Sequence, residues 1–132
     1  MRWLAIVLFL VAPTAAAAAE TPMSAAEFEA YVLGRTLTYT DRGVPYGIEE
    51  YLPGRRVRWA YIGDECRDGY WYAADEQICF VYQDNPEPQC WVFTRQGGRL
   101  GAKFMGSDDG GELYEAARND EPLICPGPDV GV

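Results

Sequence analysis

Arg56-Val57-Arg58-Trp59-Ala60-Tyr61 is the stretch on which the fold turns. Val57, Trp59 and Tyr61 project to one side and Arg56 and Arg58 to the other, the two-residue period of a strand with one face in a core. Working outward, short β-prone runs follow one another at Thr36–Thr40, Tyr46–Tyr51, Gly69–Tyr72, Ile78–Tyr82, Cys90–Thr94, Leu100–Met105 and Glu112–Ala116. Between them lie clusters of Gly, Pro, Asp and Asn, such as Asp41-Arg42-Gly43, Leu52-Pro53-Gly54 and Gln96-Gly97-Gly98. These connections leave no room for crossover helices, so neighbouring strands must be antiparallel. The expected fold is mainly β, an antiparallel meander forming a small barrel or sandwich.

Two runs, Ile78–Tyr82 and Cys90–Phe93, are apolar on both faces and are expected to be covered on both sides. Their connection, Gln83 to Gln89, holds Pro86 and Pro88, which predicts a stiff seven-residue loop in place of a tight two-residue hairpin. Ahead of the strands stands one short N-terminal helix packed on the sheet. Ser24 is placed as its N-cap, Glu27 closes a capping box, and Met23 faces Phe28 as a hydrophobic staple. Phe28, Tyr31 and Val32 share one face, and Gly34 supplies a left-handed stop.

The chain opens with Met1-Arg2 and the apolar run Trp3 to Val11, shorter than the roughly 20 residues that cross a membrane. Pro13 and the small residues through Ala17-Ala18-Ala19 complete a signal-peptide pattern over residues 1–19, with cleavage before Glu20. Residues 20–132 then form a single β-rich domain, placed in the periplasm or outside the cell. In that oxidising setting Cys66, Cys79, Cys90 and Cys125 are expected in two disulfides, and of the three pairings Cys79–Cys90 with Cys66–Cys125 is preferred because it ties the C-terminal tail down. The 132 residues carry 20 acidic and 11 basic side chains, a net charge of −9. That balance repels nucleic acid and anionic membranes and suits a basic partner. No cofactor is expected, and no metal: the cysteine spacings lack C-x2-C pairs and the chain has no histidine.

The strings Gly34-Arg35-Thr36-Leu37-Thr38-Tyr39, Gly47-Ile48-Glu49-Glu50-Tyr51, Gly63-Asp64-Glu65-Cys66, Gly69-Tyr70-Trp71-Tyr72, Ile78-Cys79-Phe80-Val81-Tyr82 and Cys90-Trp91 resemble those of a group of small exported alphaproteobacterial proteins of uncharacterised function. The resemblance runs from about Gly34 to Gly127 and implies an exported all-β domain, with no catalytic residues to carry over. In size, export and disulfide-supported meander the chain is also similar to small periplasmic β-barrel inhibitors of lysozyme, which block a basic enzyme with a loop. It has no Ser-Gly-x-x-Tyr string of the kind the strongest of those inhibitors use.

The absence of histidine removes every Ser-His, Cys-His and His-metal constellation. Asp64, Glu65 and Asp68, or Asp108, Asp109 and Glu112, could supply carboxylate pairs, but each set sits in one turn and not across a cleft. Gly106 to Glu112 offers oxygen ligands for calcium yet lacks the ligand spacing of a twelve-residue loop. The chain is therefore read as a non-catalytic interaction module, its partner a basic protein or an envelope glycan. The alternatives are a structural or stress-related envelope protein without a discrete site, or a lysozyme-inhibitor-like protein. Two places are expected to bind: the stiff acidic loop through Asp84, Glu87 and Gln89, and the strand rings Tyr70, Trp71 and Tyr72, part of a surplus of 9 Tyr, 4 Trp and 5 Phe.

Overall fold

The structure, a computed structural model, describes residues 10–13, 20–107 and 109–125. Most of the expected leader, Asp108 of the acidic turn and the tail from residue 126 onward lie outside the described residues. Ser24 caps the single α-helix of the described chain, α1 (Ala25–Val32), by accepting a hydrogen bond from Glu27 N at 3.1 Å. Gly34, at φ 76°, turns the chain out of the helix. Eight strands follow: β1 (Thr36–Asp41), β2 (Val44–Leu52), β3 (Arg56–Tyr61), β4 (Arg67–Ala74), β5 (Gln77–Tyr82), β6 (Asn85–Gln96), β7 (Arg99–Phe104) and β8 (Glu112–Asn119).

Each strand pairs antiparallel with the next, and β8 returns to pair with β1, so the meander closes into a barrel rather than a sandwich. Leu37, Tyr39, Glu49, Tyr51, Val57, Trp59, Trp71, Phe80, Phe93, Leu100, Ala102 and Leu113 are buried, and alternation sends them inward. The up-and-down order puts the β1–β2, β3–β4, β5–β6 and β7–β8 turns at one end. The helix closes the other. Phe28 is fully buried there, with ring centroids 4.5 to 6.4 Å from those of Phe93, Trp71, Tyr51 and Phe80. The helix thus stoppers the barrel end instead of lying flat on a sheet.

Beside this stopper, the Tyr31 hydroxyl donates to the buried carboxylate of Glu115 at 2.5 Å, and Glu115 also accepts from Leu100 N at 3.1 Å. The guanidiniums of Arg95, Arg118 and Arg35 surround the Tyr31 ring at 4.8, 5.1 and 5.5 Å from its centroid. Arg55 reaches from the β2–β3 turn to Glu29 of the helix and lies over Trp71, tying helix to wall.

The β5–β6 connection corrects the sequence reading. A two-residue turn at Gln83-Asp84 joins the strands, with Tyr82 paired to Asn85, and the next registered pair is Phe80 with Gln89. The ladder skips Pro86, Glu87 and Pro88, so the prolines, which lack a donor, occupy a bulge where no donor is required. β6 therefore starts five residues earlier than the Cys90 expected from the sequence.

Both preferred disulfides are present. Cys79 and Cys90 are registered partners on β5 and β6, on the face opposite the inward Phe80, and Cys66 meets Cys125 with a Cα separation of 5.3 Å. The C-terminal tail runs up the outside of the barrel to reach Cys66. Thr36 Oγ1 donates to Glu121 O at 2.5 Å, and Leu123 N donates to Glu50 Oε2 at 3.0 Å. Glu50 is thereby buried on the outer face, beside the registered row Arg58 and Asp68, which are joined at 2.9 Å.

Candidate functional site

Above the Phe28 stopper the barrel is not filled. A cavity of about 180 Å³ opens toward the turn end. Tyr51, Phe80, Phe93 and Leu113 form its floor and lower wall; Tyr46, Trp59, Tyr61, Tyr82 and Trp91 form the upper wall; Arg67, Asp84, Asn85 and Gln89 stand at the mouth. A cavity of about 150 Å³ holds a benzene ring, so this space suits a molecule of about one ring.

Local sequence explains the shape. Tyr46 is skipped in the β1–β2 register, and this bulge lets it line the lumen although its neighbour Gly47 also faces inward. Gly47 is obligatory, since a Cβ there would lie 2.2 Å from the Trp59 ring. The Tyr46, Trp59 and Tyr61 rings then pack against one another with centroids 5.4 to 5.9 Å apart.

One carboxyl group sits in this aromatic space. Glu49, on β2 opposite Trp59, is 2 % exposed. Its Oε1 accepts from the Tyr82 hydroxyl at 2.9 Å, while Oε2 has no partner, the one buried side-chain polar atom in that condition among the described residues. Burial pushes its pKa well above the usual carboxylate range, opposed by the Tyr82 hydrogen bond. Burial likewise raises Tyr82, with Glu49 adding to it, and raises Tyr39 and Tyr51, whose hydroxyls meet at 2.8 Å. Tyr46 is pushed up to about 12 by burial and by Tyr61. At the mouth Arg67 is held by Asp84 at 2.8 Å and Asp64 at 3.5 Å and lies over the Tyr61 ring.

The residues expected to bind are separated by this arrangement. Asp84 and Gln89 line the mouth, whereas Glu87 is exposed in the bulge and outside the cavity lining. Asp84 is also paired with Arg67, not a free acidic contact. Trp71 is buried against Phe28 under Arg55; Tyr70, on the opposite parity, is half exposed on the outer wall with Tyr72. The three rings therefore form no common surface. Asp64, Glu65 and Asp68 are divided too, Asp68 going to Arg58 and Asp64 to Arg67.

Glu49, Tyr82, Trp59 and Arg67 were not singled out from the sequence as site residues. A signal existed: in Gly47-Ile48-Glu49-Glu50-Tyr51 one of two consecutive acids must share the inward parity of Tyr51, and that acid is Glu49.

Fold and site together define a closed eight-stranded antiparallel barrel, stoppered at one end and open at the other onto an aromatic lumen with a buried acid. No protein-family model, curated protein or solved structure matched the chain. Among the described residues no helix is long and apolar enough to cross a membrane, and the two disulfides are consistent with an oxidising compartment.

Proposed function

We propose that the protein is an exported, non-catalytic binding protein that takes a small molecule into the barrel lumen through its turn end. The observation that carries this reading is that Glu49, whose Oε2 is buried without a partner, lines a cavity with room for a ligand. An unsatisfied buried polar atom costs roughly 1–3 kcal/mol, and a ligand group that hydrogen-bonds it would remove that cost. The aromatic lining with few convergent polar groups matches the chemistry of small-molecule pockets. Catalysis is poorly served, because of the two carboxyl groups that line the cavity Asp84 stands at the mouth and is paired with Arg67, which leaves Glu49 without a free acid across from it. Export rests on the leader pattern of residues 1–19 and on the disulfides; N-terminal sequencing of protein from the cell envelope is expected to start near Glu20.

Ligand-observed NMR with a library of single-ring compounds tests the lumen. Compounds that bind the parent are expected to be lost in Ala102→Phe, which fills the cavity from β7, provided its circular dichroism stays native. Undiminished binding to that folded variant would move the site off the lumen.

A further inference from the structure

We propose that the ligand is a small organic monocation, an ammonium group on an apolar body of about one ring, seated with its positive end against Glu49. The inference rests on the lumen reading and adds the charge of the ligand to it.

Three independent features favour a cation. First, Glu49 is a fully buried acid without a cationic partner: its described hydrogen bond comes from Tyr82, a neutral donor. The cation in the cavity lining, Arg67, is committed to Asp84 and Asp64. A neutral donor could satisfy Oε2, but only a cation also offsets a carboxylate charge in a low-dielectric space. Second, the walls present aromatic rings, whose negative faces attract ammonium groups, most strongly where both are desolvated. Third, the open rim is acidic. Asp41, Asp64, Glu65, Asp84 and Glu87 belong to the turns and strand ends there, against Arg42 and Arg67, so cations are drawn to the mouth and anions repelled.

The same geometry gives binding a proton signature. In the empty barrel burial favours the protonated form of the Glu49 carboxyl, and an ammonium group beside it favours the carboxylate, so binding is expected to send a proton from Glu49 to solvent. The titratable and charged groups that line the cavity with Glu49 are Tyr39 from β1, Tyr46 and Tyr51 from β2, Tyr61 from β3, Tyr82 from β5 and, at the mouth, Arg67 and Asp84. The buried tyrosines are pushed to higher pKa and stay neutral at pH 7, which leaves Glu49 as the group that changes charge.

Benzylamine, benzyl alcohol and benzoate are the probes, matched in size and differing in charge. Titration of the disulfide-intact protein is followed by calorimetry and by the fluorescence of Trp59 and Trp91, both in the lumen wall. Benzylamine is expected to bind at least tenfold more tightly than benzyl alcohol, with benzoate weakest. Its heat is expected to vary with buffer ionisation enthalpy, reporting release of up to one proton. Glu49→Gln keeps the shape and the acceptor for Tyr82, and should weaken benzylamine by tenfold or more, removing its preference over benzyl alcohol and its proton release. Should that variant not fold, the ranking of the three probes on the parent decides. Equal binding of alcohol and amine with no proton release would overturn the charge assignment and leave the lumen as a binding site. No binding of any probe, together with no library compound lost on filling the lumen, would overturn both.

Discussion

Glu49 is a carboxyl group in the interior of a domain whose other described buried acids have partners: Glu50 accepts from Leu123 N, and Glu115 from Tyr31 and Leu100. The difference has a measurable consequence for the ligand-free protein. The folded-state pKa of Glu49 is raised, so above the ordinary carboxylate pKa the unfolded chain has released this proton while the native state retains it. Its contribution to stability is therefore fully present at acid pH and is lost as pH rises from about 4.3 toward the raised native value. The slope from this one group is at most about 1.4 kcal/mol per pH unit. Urea unfolding of parent and Glu49→Gln between pH 5 and 8 is expected to show that decline in the parent and a flatter profile in the variant. Tyr31 tests the opposite end. Tyr31→Phe removes the donor that Glu115 meets at 2.5 Å, and a loss of roughly 1–3 kcal/mol in unfolding free energy is the expected result. At this scale the sequence showed residue types but not their partners. Two adjacent glutamates read alike until strand closure sends Glu49 into the barrel and the tail covers Glu50.

Among the elements, the helix was the most legible from sequence. Ser24, Phe28, Tyr31, Val32 and Gly34 act within a few residues of one another, and the structure uses them as expected. What the pattern did not disclose is that Phe28 enters a barrel end. Because its ring meets four others there, Phe28→Ala should cost about 3–5 kcal/mol, read as a lower urea midpoint with unchanged slope. The β5–β6 hairpin was misread for a local reason: Pro86 and Pro88 forbid regular pairing, but a bulge absorbs both, and bulges follow from the register of a partner strand. The disulfides act at this scale too. Cys79 and Cys90 are 11 residues apart and Cys66 and Cys125 are 59 apart, so loop entropy assigns about 3 and about 4 kcal/mol respectively. Replacing Cys66 and Cys125 by alanine is expected to cost more than replacing the other pair, and to free the Leu123 amide to exchange with solvent as the tail leaves Glu50.

For the whole molecule, closure governs both folding and function. Pairing of Thr36 with Asn119 joins the two ends of the domain, and such distant contacts slow folding; stopped-flow refolding of the disulfide-intact protein is expected in the millisecond-to-second range. A refolding time in microseconds would show that closure is not the limiting event. The sequence by itself determined the antiparallel meander, the stripe of inward rings, the capped helix and the oxidisable cysteines, because these depend on alternation, turn residues and capping over a few positions. Only the tertiary structure decided between barrel and sandwich, the inward placement of Glu49, the separation of Trp71 from Tyr70 and Tyr72, and the reach of the tail to Cys66. Those outcomes depend on which distant strand completes the last row of hydrogen bonds. Once β8 met β1, the inward face became a lumen, and the acid and rings that alternation had put on one side of separate strands were enclosed around a single cavity.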